Sequence, residues 1–207
     1  MIKVLRPGVH LNNKGKGYNN YLPIYSSTTL IKSGEKIILV DPGHIAERKK
    51  IQDLLGAEGV KPDEIDLVLI THHHLDHCSN MGSFPRAKIF LEGGYVSQNE
   101  PSYMVFRDLT LFNEGTGIEV VQTSGHTTDS VSYLYEEDGL NYMCVGDAVF
   151  EESIREGQFG GVADKVKYLE SLEKIFNLAD VIIPGHGEVI KDQRKGDLYK
   201  IIKQLTI

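Results

Sequence analysis

Cysteine, long apolar runs and positive charge are all scarce in this chain of 207 residues, and each scarcity excludes something. Cys78 and Cys144 are the only cysteines, so at most one bridge can form and a scaffold stapled by disulfides is excluded. No apolar run approaches the ~20 residues needed to cross a bilayer; Ile37-Ile38-Leu39-Val40 is typical of those present. The opening Met1-Ile2-Lys3-Val4-Leu5-Arg6 reaches Pro7 and Gly8 without the apolar core of a signal peptide. The expectation is a cytoplasmic protein with free thiols and no membrane partner. A formal net charge of -7 argues against general affinity for phosphate backbones, and so against nucleic acid as the partner. What is present is ordinary for a globular chain: 41% hydrophobic and 25% charged residues exclude disorder and collagen-like repeats. No Pro/Ser-rich linker interrupts it, so a single domain over 1–207 is expected, burying roughly 70% of its unfolded surface.

Periodicity places the elements. Ser27 to Lys32 and Lys36 to Asp41 read as a hairpin around Ser33-Gly34-Glu35. Ile45 to Leu55 has apolar residues at 45, 51, 54 and 55, which predicts an amphipathic helix stopped by Gly56. Asp66 to Ile70 is a nearly continuous apolar run, the pattern of a strand buried on both faces. In the second half, Ile118 to Gln122 predicts a strand, Val131 to Tyr135 and Leu140 to Val145 a hairpin, Asp164 to Leu178 a helix, and Val181 to Ile183 a buried strand. Strands and helices in both halves, without strict alternation, point to an α+β chain with two mixed β-sheets face to face and helices outside. Gly8 to Asn20, rich in Gly, Asn and Lys, reads as a mobile flap.

Chemistry concentrates in Thr71-His72-His73-His74-Leu75-Asp76-His77, which puts four candidate ligands within six residues directly after a buried strand. In extended chain His72 and His74 share a side and His73 points away. A turn after His74 brings Asp76 and His77 toward a second ion beside the first, a nitrogen and oxygen donor set suited to zinc. Such a cluster at a strand end belongs to a functional loop rather than to a solvated run of histidines. His126 in Ser124-Gly125-His126-Thr127 and His186 in Pro184-Gly185-His186-Gly187 also follow strand ends, where glycine lets the backbone pack closely. Asp147 follows Gly146 at another strand end, a position from which a carboxylate can bridge two ions. Asp41 ends a strand too and reads as a support for the ligand histidines, with Thr127 in the same capacity. His10 and His44 read as loop histidines, Cys78 as packing, and Tyr18, Tyr21 and Tyr25 as core or surface tyrosines before pocket residues, with lining of a substrate pocket as the alternative.

These motifs, in this order, resemble the metallo-β-lactamase superfamily: Asp41 after a strand, His72-x-His74-x-Asp76-His77, Gly125-His126, Gly146-Asp147 and Pro184-Gly185-His186. The resemblance implies an αββα sandwich in which His72, His74 and His126 hold one metal, Asp76, His77 and His186 hold a second, and Asp147 bridges them. Two divalent ions are implied, with zinc expected and iron or manganese compatible with the same donors. Superfamily membership leaves the substrate open. Only 21 residues follow His186, which argues against the helical glutathione-binding region of glyoxalase II enzymes. His74 stands where flavodiiron oxygen reductases usually carry glutamate. The chain most resembles the short single-domain hydrolases, with Phe150 where lactonases often place a tyrosine.

The expected function is therefore a dinuclear metal-dependent hydrolase acting on a small ester, thioester or lactone, with Asp76 orienting the attacking water and carrying its proton. The alternatives are a phosphodiesterase or nuclease on the same site, and a non-catalytic metal-binding or interaction module. A small-molecule substrate is the expected partner.

Overall fold

The computed structural model describes residues 1–10, 23–98, 101–106, 108–112 and 114–205. In chain order, the first half contains β1 (Ile2–Arg6), β2 (Val9–His10), β3 (Ile24–Tyr25), β4 (Thr28–Ser33), β5 (Lys36–Val40), α1 (Arg48–Ala57), β6 (Leu67–Leu69) and α2 (Leu75–Cys78). It continues with β7 (Lys88–Leu91), β8 (Gly94–Val96) and β9 (Tyr103–Val105). The second half adds β10 (Glu119–Gln122), β11 (Val131–Glu137), β12 (Leu140–Gly146), α3 (Glu151–Glu156), α4 (Lys165–Leu178), β13 (Val181–Pro184) and α5 (Asp192–Leu205).

One sheet has seven strands in the order β1-β4-β5-β6-β7-β8-β9, and the other has four, β10-β11-β12-β13. Both are mixed: β5, β6 and β7 run parallel in the first, β12 and β13 in the second, and the remaining pairs are antiparallel. A separate pair, β2 with β3, brackets residues 11–22. The proposed flap lies mostly outside the described residues. Its first residue is packed, since Gly8 bridges to Gly187 and its N–H donates to Ser27 Oγ at 2.8 Å.

The layers follow from side-chain alternation along the strands. Ile38, Val40, Leu67 and Leu69 face inward onto Val131, Tyr133, Cys144 and Ile183 of the opposite sheet. Their neighbours Leu39, Val68 and Ile70 face outward onto Ile51 and Leu55 of α1. On the far side, Met143, Val145 and Ile182 meet Tyr168, Leu172, Ile175 and Phe176 of α4 and Leu198 and Ile202 of α5. Each fully buried aliphatic or aromatic side chain contributes about 1.5–3 kcal/mol, so every layer boundary is secured by many such contacts.

Helix α1 starts as a short 3-10 turn over Ile45–Glu47 and runs past Gly56 to Ala57, two residues beyond the end that the glycine stop predicts. The chain closes instead where the N–H groups of Glu58 and Val60 both return to Leu55 O and Gly59 takes a left-handed φ of 68°. Strands β1 and β7 to β9 and helices α3 and α5 complete the sandwich beyond the elements read from periodicity. No helix among the described residues is long and apolar enough to cross a membrane.

Candidate metal centre

The two sheets bring their strand ends to one edge. Asp41 follows β5, Thr71 and His72 follow β6, His126 follows β10, Asp147 follows β12, and His186 follows β13. Clefts beyond the carboxyl ends of parallel strands are where sheets of this kind hold ligands. The backbone turns sharply after β6: His74 is still extended and α2 begins at the next residue, which swings Asp76 and His77 beneath His72. Gly43 N–H donates to His77 O at 3.0 Å and Asn80 Nδ2 donates to Pro42 O at 3.1 Å, tying α2 to the loop after β5.

Seven side chains converge in two sets. His72, His74, His126 and Asp147 form one, and Asp76, His77 and His186 the other; within each, one ligand atom per residue lies within 4.8 Å of every other. Asp147 stands between them. Its Oδ2 is 3.4 Å from His126 Nε2 and 3.8 Å from His72 Nε2, whereas its Oδ1 is 3.2 Å from His77 Nε2 and 3.4 Å from His186 Nε2. Asp76 Oδ2 lies 3.2 Å from His186 Nε2 and 3.6 Å from His77 Nε2. His74 Nδ1 is 3.1 Å from His126 Nε2.

The donor set fits a pair of cations. Nε2 of His72, His77 and His186, Oδ2 of Asp76 and Oδ1 of Asp147 are all buried with no hydrogen-bond partner. Each such group costs about 1–3 kcal/mol when left unsatisfied. They face one another at contact distance without hydrogen-bond alignment, as ligands aimed at common points do. Nitrogen with carboxylate oxygen suits zinc, iron or manganese.

Asp41 and Thr71 set the rings. Asp41 has φ of 48°, a left-handed conformation that aspartate tolerates, and its carboxylate accepts from Thr71 N–H at 2.8 Å and from Thr71 Oγ1–H at 2.7 Å. Asp41 Oδ2 lies 2.8 Å from His77 Nδ1, and Thr71 Oγ1 lies 3.2 Å from His72 Nδ1. Both Nδ1 atoms therefore act as donors, which leaves both Nε2 atoms facing Asp147. This is the supporting role expected of Asp41.

Glycine is obligatory at Gly185 and Gly125, which hold ligand loops close. A Cβ on Gly185 would lie 2.3 Å from Asp147 Oδ1 and 2.7 Å from His77 Cε1. Gly125, at φ of 138°, would place a Cβ 2.4 Å from Tyr168 N. That close approach lets the start of α4 pin the His126 loop, through Asp164 N–H to Gly125 O at 3.0 Å and Ala163 N–H to His126 O at 3.1 Å.

Electrostatics divides the two sets. Burial, with the charge of His77 nearby, lowers the His72 pKa to about 2, so its imidazole is neutral. Burial opposes charge on His186 as well, but the carboxylates of Asp147 and Asp76 that face it outweigh this and raise the pKa to about 9. His77 behaves likewise: desolvation is overcome by Asp147 and Asp41, and its pKa stands well above the usual value. Asp147, despite full burial, is held well below the carboxylate range by His77 and His186.

The model of the metallo-beta-lactamase superfamily matches residues 21–186. The chain belongs to that superfamily. A curated relative, metallo-beta-lactamase domain-containing protein 1 of Mus musculus, is 32% identical over 173 residues, covering 78% of this chain and 64% of the relative, so the chain spans somewhat less than two thirds of it. Atrochrysone carboxyl ACP thioesterase of Aspergillus fumigatus is 31% identical over 176 residues, covering 82% of this chain and 53% of that protein. Among solved structures, a metallo-beta-lactamase of Thermotoga maritima superposes with a TM-score of 0.67 at 18% identity, covering 92% of this chain and 98% of the other. That likeness establishes the αββα fold.

In this superfamily member a cavity of about 290 Å³ opens onto His74, Asp76, His126 and Asp147. Its walls include His10, Ile24, Phe150, Val162 and Tyr168. A larger hollow of about 590 Å³ lies by Arg86, Tyr95, Gln98 and Tyr103, and none of the clustered ligands borders it. Volume alone does not mark the site.

Several readings change. His10 is not a loop histidine; it lies in β2, with its ring 5.3 Å from that of His186, because the β2–β3 pair lays this segment along the cavity. Tyr25 does not line the cavity, since its ring packs under the Arg6 guanidinium at 3.8 Å, and Tyr18 and Tyr21 lie outside the described residues. Thr127 bonds Ser130 Oγ at 2.6 Å and shapes the loop rather than touching an imidazole. His73 does point away, 3.0 Å from Asp129 Oδ2 on an exposed face. Cys78 is buried and donates to His73 O at 3.3 Å. Sequence reasoning missed Tyr168, whose helical periodicity marks it only as core.

Proposed function

We propose that the chain is a dinuclear metal-dependent hydrolase of a small ester, thioester or lactone. One observation carries this reading: the Asp147 carboxylate turns one oxygen to His72 and His126 and the other to His77 and His186. His72, His74 and His126 would hold one ion and Asp76, His77 and His186 the other, with Asp147 shared. Two divalent ions, zinc by expectation, supply water activation near neutral pH and Lewis-acid polarisation of a carbonyl when bound.

Asp76 reaches the cavity from the floor. Burial favours its neutral form, but the facing imidazoles of His186 and His77 outweigh this and lower its pKa, so the carboxylate is ionised near neutral pH. It can take a proton from water and deliver it to a leaving alkoxide or thiolate on the same face. His186 Nε2, 3.2 Å from Asp76 Oδ2 and 3.4 Å from Asp147 Oδ1, holds that carboxylate by attraction. Phe150 lies over His186 with its ring centred 5.7 Å away and screens the floor from bulk water. A carbonyl substrate is favoured over a phosphodiester by the acidic and apolar lining, Glu152, Ile24, Phe150 and Val162, and by the thioesterase among the relatives.

The test pairs elemental analysis with a hydrolysis screen over lactone, thioester, β-lactam and phosphodiester substrates. About two ions per chain with turnover of a carbonyl substrate is expected. Exclusive cleavage of phosphodiesters would replace this reading with the nuclease one. Two ions without any turnover would make the chain a binding module.

A further inference from the structure

The cavity has two chemically opposed halves. Its floor is ionic, built from His74, Asp76, His126 and Asp147, whereas Phe150, Ile24 and Val162 supply an apolar wall within the remaining lining, beside His10, Glu152 and Ser153. Ile24 is 45% exposed, although isoleucine is ordinarily buried. An apolar side chain left open beside an ionic floor is stabilised when an apolar part of a ligand covers it, at roughly 25 cal/mol per Å² removed from water.

Phe150 is the fixed element of that wall. Its ring stacks on His186 at 5.7 Å with 19° between planes and lies 5.9 Å from both His126 and His10. It thus reaches an imidazole of each ligand set. Its position is set from behind: Phe150 N–H donates to Tyr168 Oη at 3.2 Å, and Tyr168 is buried in the α4 core. Its backbone is extended immediately before α3 begins at Glu151. Anchored in this way, the ring closes one end of a space of about 290 Å³, at the small end of the range for ligand sites.

We infer that the substrate presents a compact, uncharged apolar acyl group to this wall, and that Phe150 sets the upper limit on its length. This rests on the hydrolase reading above and deepens it. The scissile carbonyl lies over the ionic floor, and the acyl chain runs from it toward Phe150, Ile24 and Val162. A carboxylate at the far end of the chain would lose its hydration against Phe150, Ile24 and Val162, and would meet the like charge of Glu152, which also lines the cavity.

The experiment uses the metal-loaded chain and p-nitrophenyl esters of acetate, butyrate, hexanoate and octanoate, with the succinate monoester as a charged match for butyrate. For the unaltered chain, kcat/KM peaks at acetate or butyrate and falls about tenfold or more by octanoate, because a single methylene that clashes or fits changes kcat/KM by about tenfold or more. The succinyl ester is cleaved at least about tenfold more slowly than the butyryl one. Phe150→Ala moves the optimum to hexanoate or octanoate, and Phe150→Leu moves it less. Ligand binding is read separately, by calorimetry with butyrate and octanoate on the same metal-loaded proteins: Phe150→Ala gains affinity for octanoate relative to butyrate. This readout and Phe150→Leu keep the test decisive if the alanine variant folds poorly. Hydrolysis with parallel chain-length profiles in all three proteins, or a succinyl ester cleaved as fast as butyryl, overturns the acyl inference and leaves the hydrolase standing. Failure to hydrolyse any carbonyl ester with two metals bound overturns both.

Discussion

Replacing Asp41 by asparagine removes one charge and exchanges one acceptor for a donor, and its consequences can be followed atom by atom. Asp41 is 3% exposed and accepts three hydrogen bonds, from Thr71 N–H at 2.8 Å, from Thr71 Oγ1–H at 2.7 Å and from His77 Nδ1 at 2.8 Å. With its oxygen in the Oδ1 place, asparagine keeps the first. Its amide group then occupies the place of Oδ2, where two donors now face a donor. The Thr71 hydroxyl can rotate and accept, and it can still accept from His72 Nδ1. His77 can accept only by moving its proton from Nδ1 to Nε2, the lone pair that faces Asp147.

The second ligand set should therefore lose affinity while the first is spared. Replacing such a partner typically costs 10–100-fold in metal affinity, about 1.4–2.7 kcal/mol. Loss of charged hydrogen bonds should also lower the stability of the metal-free protein by about 1.5–3 kcal/mol. The assay is a chelator-competition titration with cobalt, whose visible spectrum follows each equivalent, with chemical denaturation of the metal-free protein alongside. One equivalent should weaken 10–100-fold and the other by less than about threefold. Unchanged affinity at both sets, or equal weakening of both, refutes the tautomer argument.

Three further outcomes follow from the same geometry. Asp147→Asn should weaken both equivalents in equilibrium dialysis, because each oxygen faces a different set; loss of only one removes the bridging assignment. Asp76→Asn should lower turnover by about 10²–10⁴-fold while the metal on the His72, His74 and His126 set stays bound, and full activity with full metal would show that Asp76 moves no proton. In the metal-free protein, His186 is raised from 6.5 to about 9, so its contribution to stability is complete below about pH 6.5 and is lost as pH rises through about 9. His77, raised by Asp147 and Asp41 against burial, acts in the same direction. The urea midpoint should fall between pH 6.5 and 9.5, and a midpoint that stays level or rises over this window contradicts the shifts.

The legibility of the site in the sequence depended on how far apart the partners lie along the chain. Four candidate ligands fall within six residues, and strand-end parity separates His73 from its neighbours, as its contact with Asp129 confirms. Asp41, His126, Asp147 and His186 were readable because each follows an apolar strand. The cavity wall was not. Tyr168 has the spacing of a core residue, and only closure of α4 over the second sheet brings its hydroxyl to Phe150 N–H. His10 gives no sequence signal at all, since its place depends on the pairing of β2 with β3 across a dozen intervening residues. Helix α1 outran its predicted stop because helical Gly56 costs only about 1 kcal/mol, and the left-handed turn that closes the helix falls at Gly59 instead. Strand β9 is exposed at all three positions and carries no alternation to read.

Burial makes the two ligand sets unequal partners. Asp41, Asp76 and Asp147 are 3%, 8% and 5% exposed, and a buried carboxylate costs several kcal/mol unless a positive charge meets it. Without a cation, that charge comes from the imidazoles of His77 and His186, whose raised pKa values reflect their attraction to these same carboxylates. His72 makes no such contribution, being held neutral by burial and by His77. The arrangement thus places proton-holding histidines on one side of Asp147 and a ready-made neutral donor on the other. Metal entering the His77 and His186 side must displace protons, whereas His72 offers its lone pair without that competition. The pair of sites is asymmetric before any ligand arrives, and the asymmetry comes from the fold, through the Asp41 carboxylate at the end of β5 and the Gly185 backbone that lets Asp147 lie against His77.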